Sequence, residues 1–158
     1  MTGKSKPGNP SPRSGRDLLG HAQDLIYQAW ETPNLKKQIA LARKALTISP
    51  DCADAYVLLA ETATSPAKTL ELYRKGFLAG ERALGKSTFE HDVGSFWGIL
   101  ETRPYMRARA GLAQSLWECG RHDEALANWR DMLEHFWFDH SLKKHANSSP
   151  IEGRNTRL

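Results

Sequence analysis

The chain has little that would tie it to oxidising or membrane surroundings. Of its 158 residues only two are cysteine, Cys52 and Cys119, far apart and each near a helical hydrophobic pattern. Such a pair reads as free thiols, which argues against a disulfide-stapled secreted scaffold and fits a reducing compartment. No apolar run approaches the ~20 residues that a membrane-spanning helix needs. The N-terminus has positive charge but no hydrophobic stretch behind it, so it lacks the pattern of a secretory signal. The expectation is a cytoplasmic protein without membrane contact.

Catalytic signatures are missing as well. No His-Glu-x-x-His motif and no nucleophile elbow occurs. His135, His140 and His145 recur at five-residue steps, which on a helix sets neighbours about 140° apart instead of aligning them for a metal. Only Asp139 stands among them as a further ligand, and His122 heads a helix and should face solvent. Enzymatic activity, a metal site and a cofactor are therefore not expected.

The basic balance is also less than it looks. Net charge is +4, but Lys4, Lys6, Arg13 and Arg16 precede any acid, and Lys143, Lys144, Arg154 and Arg157 face only Glu152. The body between the tails is near −3, so nucleic acid is not an expected partner. Residues 1–15 are Gly-, Pro- and Ser-rich and basic, with almost nothing to bury, and read as a disordered leader. A basic arm for nucleic acid is disfavoured there because no aromatics interleave.

What the chain does have is helical periodicity from residue 16 to 136 in one domain, on 40% hydrophobic and 25% charged content. The clearest stretch is Arg103 to Leu133. Leu112, Ala113 and Leu116 lie before Gly120, and Ala125, Leu126, Trp129 and Leu133 after it, at three- and four-residue steps. Gly120 suits a left-handed helix end, and Asp123 and Glu124 suit the next first turn. Earlier, Leu18, Leu19, Ala22, Leu25, Ile26, Ala29 and Trp30 form one helical stripe, broken by Thr32-Pro33-Asn34. A second helix, Leu35 to Ile48, carries Ile39, Leu41, Ala42, Ala45 and Leu46.

Asp51 reads as the N-cap of a third helix with Ala53, Tyr56, Leu59, Ala60 and Ala63 buried. Ser65-Pro66 opens a fourth, running to about Leu84 with Gly85 as its cap. Gly76 and Gly80 inside it each cost about 1 kcal/mol relative to Ala, which close approach of a neighbouring helix would offset. An insertion, Lys86 to Thr102, has capping-box spacing at Ser87 and Glu90 and carries Val93, Phe96, Trp97, Ile99 and Leu100.

Gly80-Glu81-Arg82-Ala83-Leu84-Gly85-Lys86-Ser87 matches the phosphate-loop spacing. That motif needs a strand before it and a helix N-terminus after it. Here Gly80 to Leu84 continues a helix and no strand-like run precedes it, so nucleotide binding is the lesser reading. Phe136-Trp137-Phe138 ends the helical region without a further repeat to cover it, which leaves self-association as another. Residues 137–158 read as a poorly ordered tail. Within it Ile151-Glu152-Gly153-Arg154 matches a protease site used in expression vectors, so the tail is either a shortened end or foreign sequence.

The order Leu112-Ala113, Gly120, Ala125-Leu126, Trp129, Leu133 resembles a tetratricopeptide repeat. More narrowly, DCADAYVLLAE at 51–61, ELYRKGFLAGERALG at 71–85 and VGSFWGILETRPYMRARAGLAQSLWECGR at 93–121 resemble bacterial repeat proteins similar to the suppressor-of-tumorigenicity-seven family. The likeness covers roughly residues 35 to 136, with a degenerate first repeat. It implies an all-α fold: about three helical hairpins in a short right-handed stack, with a helical insertion before the third. It also implies a non-catalytic scaffold that binds a protein or peptide segment on its concave face. Position by position, that face would hold Gln23, Tyr27 and Trp30, then Asp54, Val57 and Glu61, then Arg107, Gln114 and Trp117. Arg103 and Arg107 would either hold a partner's carboxylate or pair internally with Glu61 or Glu101.

Overall fold

A computed structural model describes residues 14–91 and 99–137. Among them the chain is all-helical, with six helices and no strand. They are α1 (Gly15–Glu31), α2 (Leu35–Ile48), α3 (Ala53–Glu61), α4 (Pro66–His91), α5 (Arg103–Glu118) and α6 (His122–Trp137), with a 3-10 turn, Leu100–Thr102, before α5.

The helix ends follow local chemistry. Ser14 and Asp17 form a capping box at the start of α1, and the Asn34 side chain accepts from Lys37 N at the start of α2, each satisfying donors that a helix leaves open. α3 departs from the sequence reading. Its N-cap is Cys52, with no side-chain cap bond. Asp51 lies one residue too early to cap, and its carboxylate instead accepts from Arg82 at 2.7 Å. Gly85 breaks α4 with φ 71°, and the helix resumes from Lys86. Gly120 turns α5 into α6 with φ 75°. Both glycines take a conformation that side-chain-bearing residues avoid, as expected of them. Val93, Phe96 and Trp97 of the insertion lie outside the described residues, as do the leader to residue 13 and the tail from 138.

Each helix packs on its chain neighbour, and α1, α3 and α5 also pack on one another in sequence. α3 is the central element: Ala53, Asp54, Ala55, Val57, Leu58 and Ala60 are all buried, between α1 and α2 on one side and α4 and α5 on the other. One core cluster joins Ala22, Ile26 and Ala29 of α1 to Ala42 and Ala45 of α2 and to Cys52, Ala55 and Leu58. Another joins Leu112 and Leu116 of α5 to Ala125 of α6, with Tyr73, Phe77 and Trp129 against them. Tyr56, Leu59 and Ala63 are only half-buried, because the buried stripe of α3 is broader than the spacing suggested and is shifted onto its small residues. α6 also differs. Ala125 is buried and Trp129 half-buried, but Leu126 and Leu133 are 48% and 61% exposed. α6 is the last described helix, and among the described residues it packs on the α4–α5 side only.

Small residues set how near the helices come. A Cβ on Gly80 would lie 2.9 Å from Cα and Cβ of Tyr105, and one on Gly76 would lie 3.1 Å from Tyr56 Cβ and 3.2 Å from Ala108 Cβ. These are the close approaches expected for glycines inside α4. Gly20 of α1 has no such reason, since nothing lies within 4 Å of where its Cβ would be. It costs α1 about 1 kcal/mol relative to alanine.

The close contact gives a test. Gly80→Ala should destabilise by about 1–3 kcal/mol in urea unfolding, because overpacking against the Tyr105 backbone outweighs the gain in helix propensity. A variant as stable as wild type would contradict this packing.

Candidate functional site

A carboxylate with no solvent contact cannot stay charged cheaply unless it is paired and hydrogen-bonded. Asp54, in the first turn of α3, is such a group, at 0% exposure. Arg107 of α5 grips it with two bonds, Nε to Oδ1 at 2.8 Å and a terminal nitrogen to Oδ2 at 2.5 Å. Gln23 of α1 donates to Oδ2 at 2.7 Å. The other end of Gln23 accepts from the Cys52 thiol at 3.8 Å. One side chain on α3 thus collects donors from α1 and α5.

The aromatic ledge beside it follows from the same arginine. The Arg107 guanidinium lies over the Trp30 ring, 5.2 Å from its centroid, and Trp30 meets the Tyr27 ring at 5.8 Å. A guanidinium over an aromatic face is an attractive pairing. Trp30 and Tyr27 remain 40% and 44% exposed, so the ledge is held by the Asp54 cluster underneath and open above.

The electrostatics follow the pairing. The bond to Asp54 raises Arg107 above its ordinary value, against the opposite pull of desolvation. Burial raises the Glu61 carboxyl; the Asp54 charge adds to this and Arg107 opposes it. Burial pushes the Cys52 thiol up to about 11. Tyr73 is raised by burial and then by Glu61 and Glu118.

Of the residues expected on one face, Gln23, Tyr27, Trp30, Asp54 and Arg107 are in mutual contact, and Glu61 lies within their electrostatic reach. Asp54 and Val57 are buried, so they support a face and cannot touch a partner. Arg107 pairs internally, but with Asp54, not with Glu61 or Glu101, and its fork is no longer available for a partner's carboxylate. Gln114 is engaged with Glu118 at 2.8 Å. Trp117, 42% exposed, stacks on His122 at 4.2 Å and on Trp129 at 5.7 Å, at the α5–α6 turn. Arg103 is exposed and makes no ion pair among the described residues. Spacing did not single out Cys52 as part of the cluster, because nothing local to residue 52 refers to residue 23.

The phosphate-loop match sits differently from the motif it imitates. Gly80 to Leu84 is helical, Gly80 is covered by Tyr105, and no strand precedes it among the described residues. No helix of the described residues is long and apolar enough to cross a membrane. No group of His, Cys, Asp and Glu among them has the arrangement of a metal site. His140, His145 and Asp139 lie outside the described residues, as does the side chain of His135.

The family described as ST7 protein matches residues 14–149, a span longer at both ends than the 35–136 over which the resemblance was read. The chain is 31% identical to suppressor of tumorigenicity 7 protein-like from Bos taurus over 124 residues, covering 76% of this chain and 22% of that protein. It is 30% identical to the namesake from Gallus gallus over 135 residues, 83% of this chain and 24% of that protein. Suppressor of tumorigenicity 7 protein from Rattus norvegicus is 28% identical, with 76% of this chain and 25% of that protein covered. The chain therefore spans about a quarter of the length of the curated relatives it matches. No solved structure matches it significantly.

Two outcomes test the cluster. Arg107→Met should cost about 3–5 kcal/mol in urea unfolding at pH 7, because it leaves a buried charge unpaired. Asp54→Asn should cost less, about 1–3 kcal/mol, since Arg107 reaches water and Gln23 keeps an acceptor. Equal costs would contradict a buried anion held by its donors. In brief iodoacetamide labelling at pH 8, exposed Cys119 should react. Cys52 should stay unmodified until the chain is denatured, because burial suppresses its thiolate. Equal labelling of both would contradict its burial.

Proposed function

This chain belongs to the ST7 protein family, and on that premise we propose that it is a non-catalytic scaffold that binds a protein or peptide segment on the face formed by α1, α3 and α5. The observation that carries the reading is the ledge of Tyr27 and Trp30, open to solvent and fixed from below by Arg107 on Asp54. Rigid aromatic side chains on a supported surface are what binding hot spots use. Holding them in place before a partner arrives lowers the ordering cost of association.

The neighbour pattern supports a tetratricopeptide-like right-handed stack of three hairpins. α2 packs on α3 and α4 on α5, while α1, α3 and α5 line up side by side. In such a stack the first helix of each hairpin lines the concave face, which is where Gln23, Tyr27, Trp30, Glu61, Arg107, Gln114 and Trp117 were expected. Cytoplasmic residence fits an exposed free thiol at Cys119.

A second reading, self-association, draws support from the exposure of Leu126 and Leu133 on α6, large apolar side chains left open to solvent. Sedimentation showing a monomer at high concentration would count against it. Nucleotide binding at Gly80 to Ser87 is the least supported, because Tyr105 already covers Gly80. Magnesium-ATP and magnesium-GTP should leave the melting temperature unchanged, whereas a nucleotide shift lost in Lys86→Ala would restore it.

The test of the scaffold reading changes the ledge and keeps the hydrogen bonds to Asp54. Wild type and Tyr27→Ser/Trp30→Ser are used to capture partners from cell extract, quantified by mass spectrometry. The double variant should stay folded, melt slightly below wild type through loss of the Arg107–Trp30 contact, and lose a discrete set of partners by about tenfold or more, the effect of a hot spot worth ~1.4 kcal/mol. Identical capture would sink the reading.

A further inference from the structure

A cleft of about 240 Å³ opens between α1, α4 and the start of α5. Leu19, Leu84, Leu100 and Pro104 line it with the rings of Tyr27 and Tyr105. Three of the polar side chains along it are already bonded. Gln23 is held by Asp54 and Cys52, the Tyr105 hydroxyl accepts from Arg109 at 2.8 Å, and Asp51 holds Arg82 at 2.7 Å. Away from Arg16 and Glu101, what remains for an occupant is apolar contact.

The α1 wall carries an unusual residue. Arg16, Gly20, Gln23 and Tyr27 follow one another at helical steps along the cleft. Gly20 is the gap in that row. It weakens the helix, takes no positive φ and touches nothing with the space it leaves. Gly76 and Gly80 let helices approach, and Gly85 and Gly120 make turns. For Gly20 the fold supplies no such reason, but the cleft does, because a side chain there would stand in its mouth.

We propose that this cleft seats one bulky apolar side chain, of leucine or phenylalanine size, from a partner peptide, and that Gly20 keeps it open. The proposal rests on the reading that the α1–α3–α5 face takes a peptide, with which the cleft is continuous through Gln23 and Tyr27. Its volume of about 240 Å³ has room for a single anchor side chain. Arg16 and Glu101 stand on the rim, unpaired among the described residues and of opposite sign. Such a rim complements the amide dipoles of a peptide backbone better than it does a lone carboxylate or ammonium. An interface anchor buried in a preformed pocket is the usual centre of binding energy.

The test is an NMR titration of the whole chain with three probes: N-acetyl-phenylalaninamide, N-acetyl-lysinamide and decanoate. Saturable shifts at Gly20, Ala83 and Tyr105 are expected with the phenylalanine probe, and none with the lysine probe. Gly20→Leu should fold, melt above wild type and lose the response. Gly20→Ala should also melt higher and retain it, which separates occlusion of the cleft from helix stabilisation. No response, a response unchanged in Gly20→Leu, or a preference for decanoate would overturn the proposal. Shifts that grow with protein concentration alone would overturn it in favour of a second copy. A phenylalanine response in a chain whose capture ignores Tyr27 and Trp30 would remove the face and leave the cleft.

Discussion

The need to keep the Asp54 carboxylate bonded away from water constrains more of this structure than any other contact. A buried anion is tolerated only while its donors stay in place. Here the donors come from α5, through Arg107, and from α1, through Gln23. The requirement fixes the relative placement of three helices that lie far apart along the chain. Hydrophobic burial brings them together but is non-directional. The bidentate bond supplies direction, because a guanidinium fork and a carboxylate meet in few orientations.

The aromatic ledge inherits this order. Trp30 is oriented by the guanidinium that lies over its ring, and Tyr27 by Trp30. Beneath them the alanines of α1, α2 and α3 let the helices approach closely enough for those short polar bonds to form. On the other side of α5, Arg109 repeats the theme in a lesser form, bonding Tyr105 within its own helix and Asp131 on α6. Its Nε is buried and unpartnered, which makes that link weaker than the Asp54 cluster. The strong polar tie thus lies among α1, α3 and α5, where the proposed face is, and the weaker one lies at the α5–α6 side.

The sequence made the helices legible because their signals are local. Thr32-Pro33-Asn34, Pro66, Gly85 and Gly120 each break or start a helix through their own backbone preferences, and the structure places boundaries at or beside them. Gly76 and Gly80 also declared a close neighbour, since interior glycine needs an offsetting contact. The resemblance put Gln23, Asp54 and Arg107 on one face, but their bonding to one another was not legible. Those bonds span 31 and 53 residues, and no periodicity says which carboxylate an arginine will meet. The same locality misled at Asp51, where a good capping residue sits one position early and an exposed arginine on α4 takes its carboxylate. It misled again at Leu126 and Leu133, whose spacing says which face they share but not whether another helix covers it.

Asp54 holds α1 and α5 in a fixed relation through a single cluster. Amide hydrogen exchange on wild type and Asp54→Ala tests it most directly, because local opening is read element by element. If the cluster acts as described, the variant will lose protection in α1 around Ile26 and Ala29 and in α5 around Ala108 together, while α2 and α6 change little. Loss of protection confined to α3, with α1 and α5 as protected as in wild type, would contradict it.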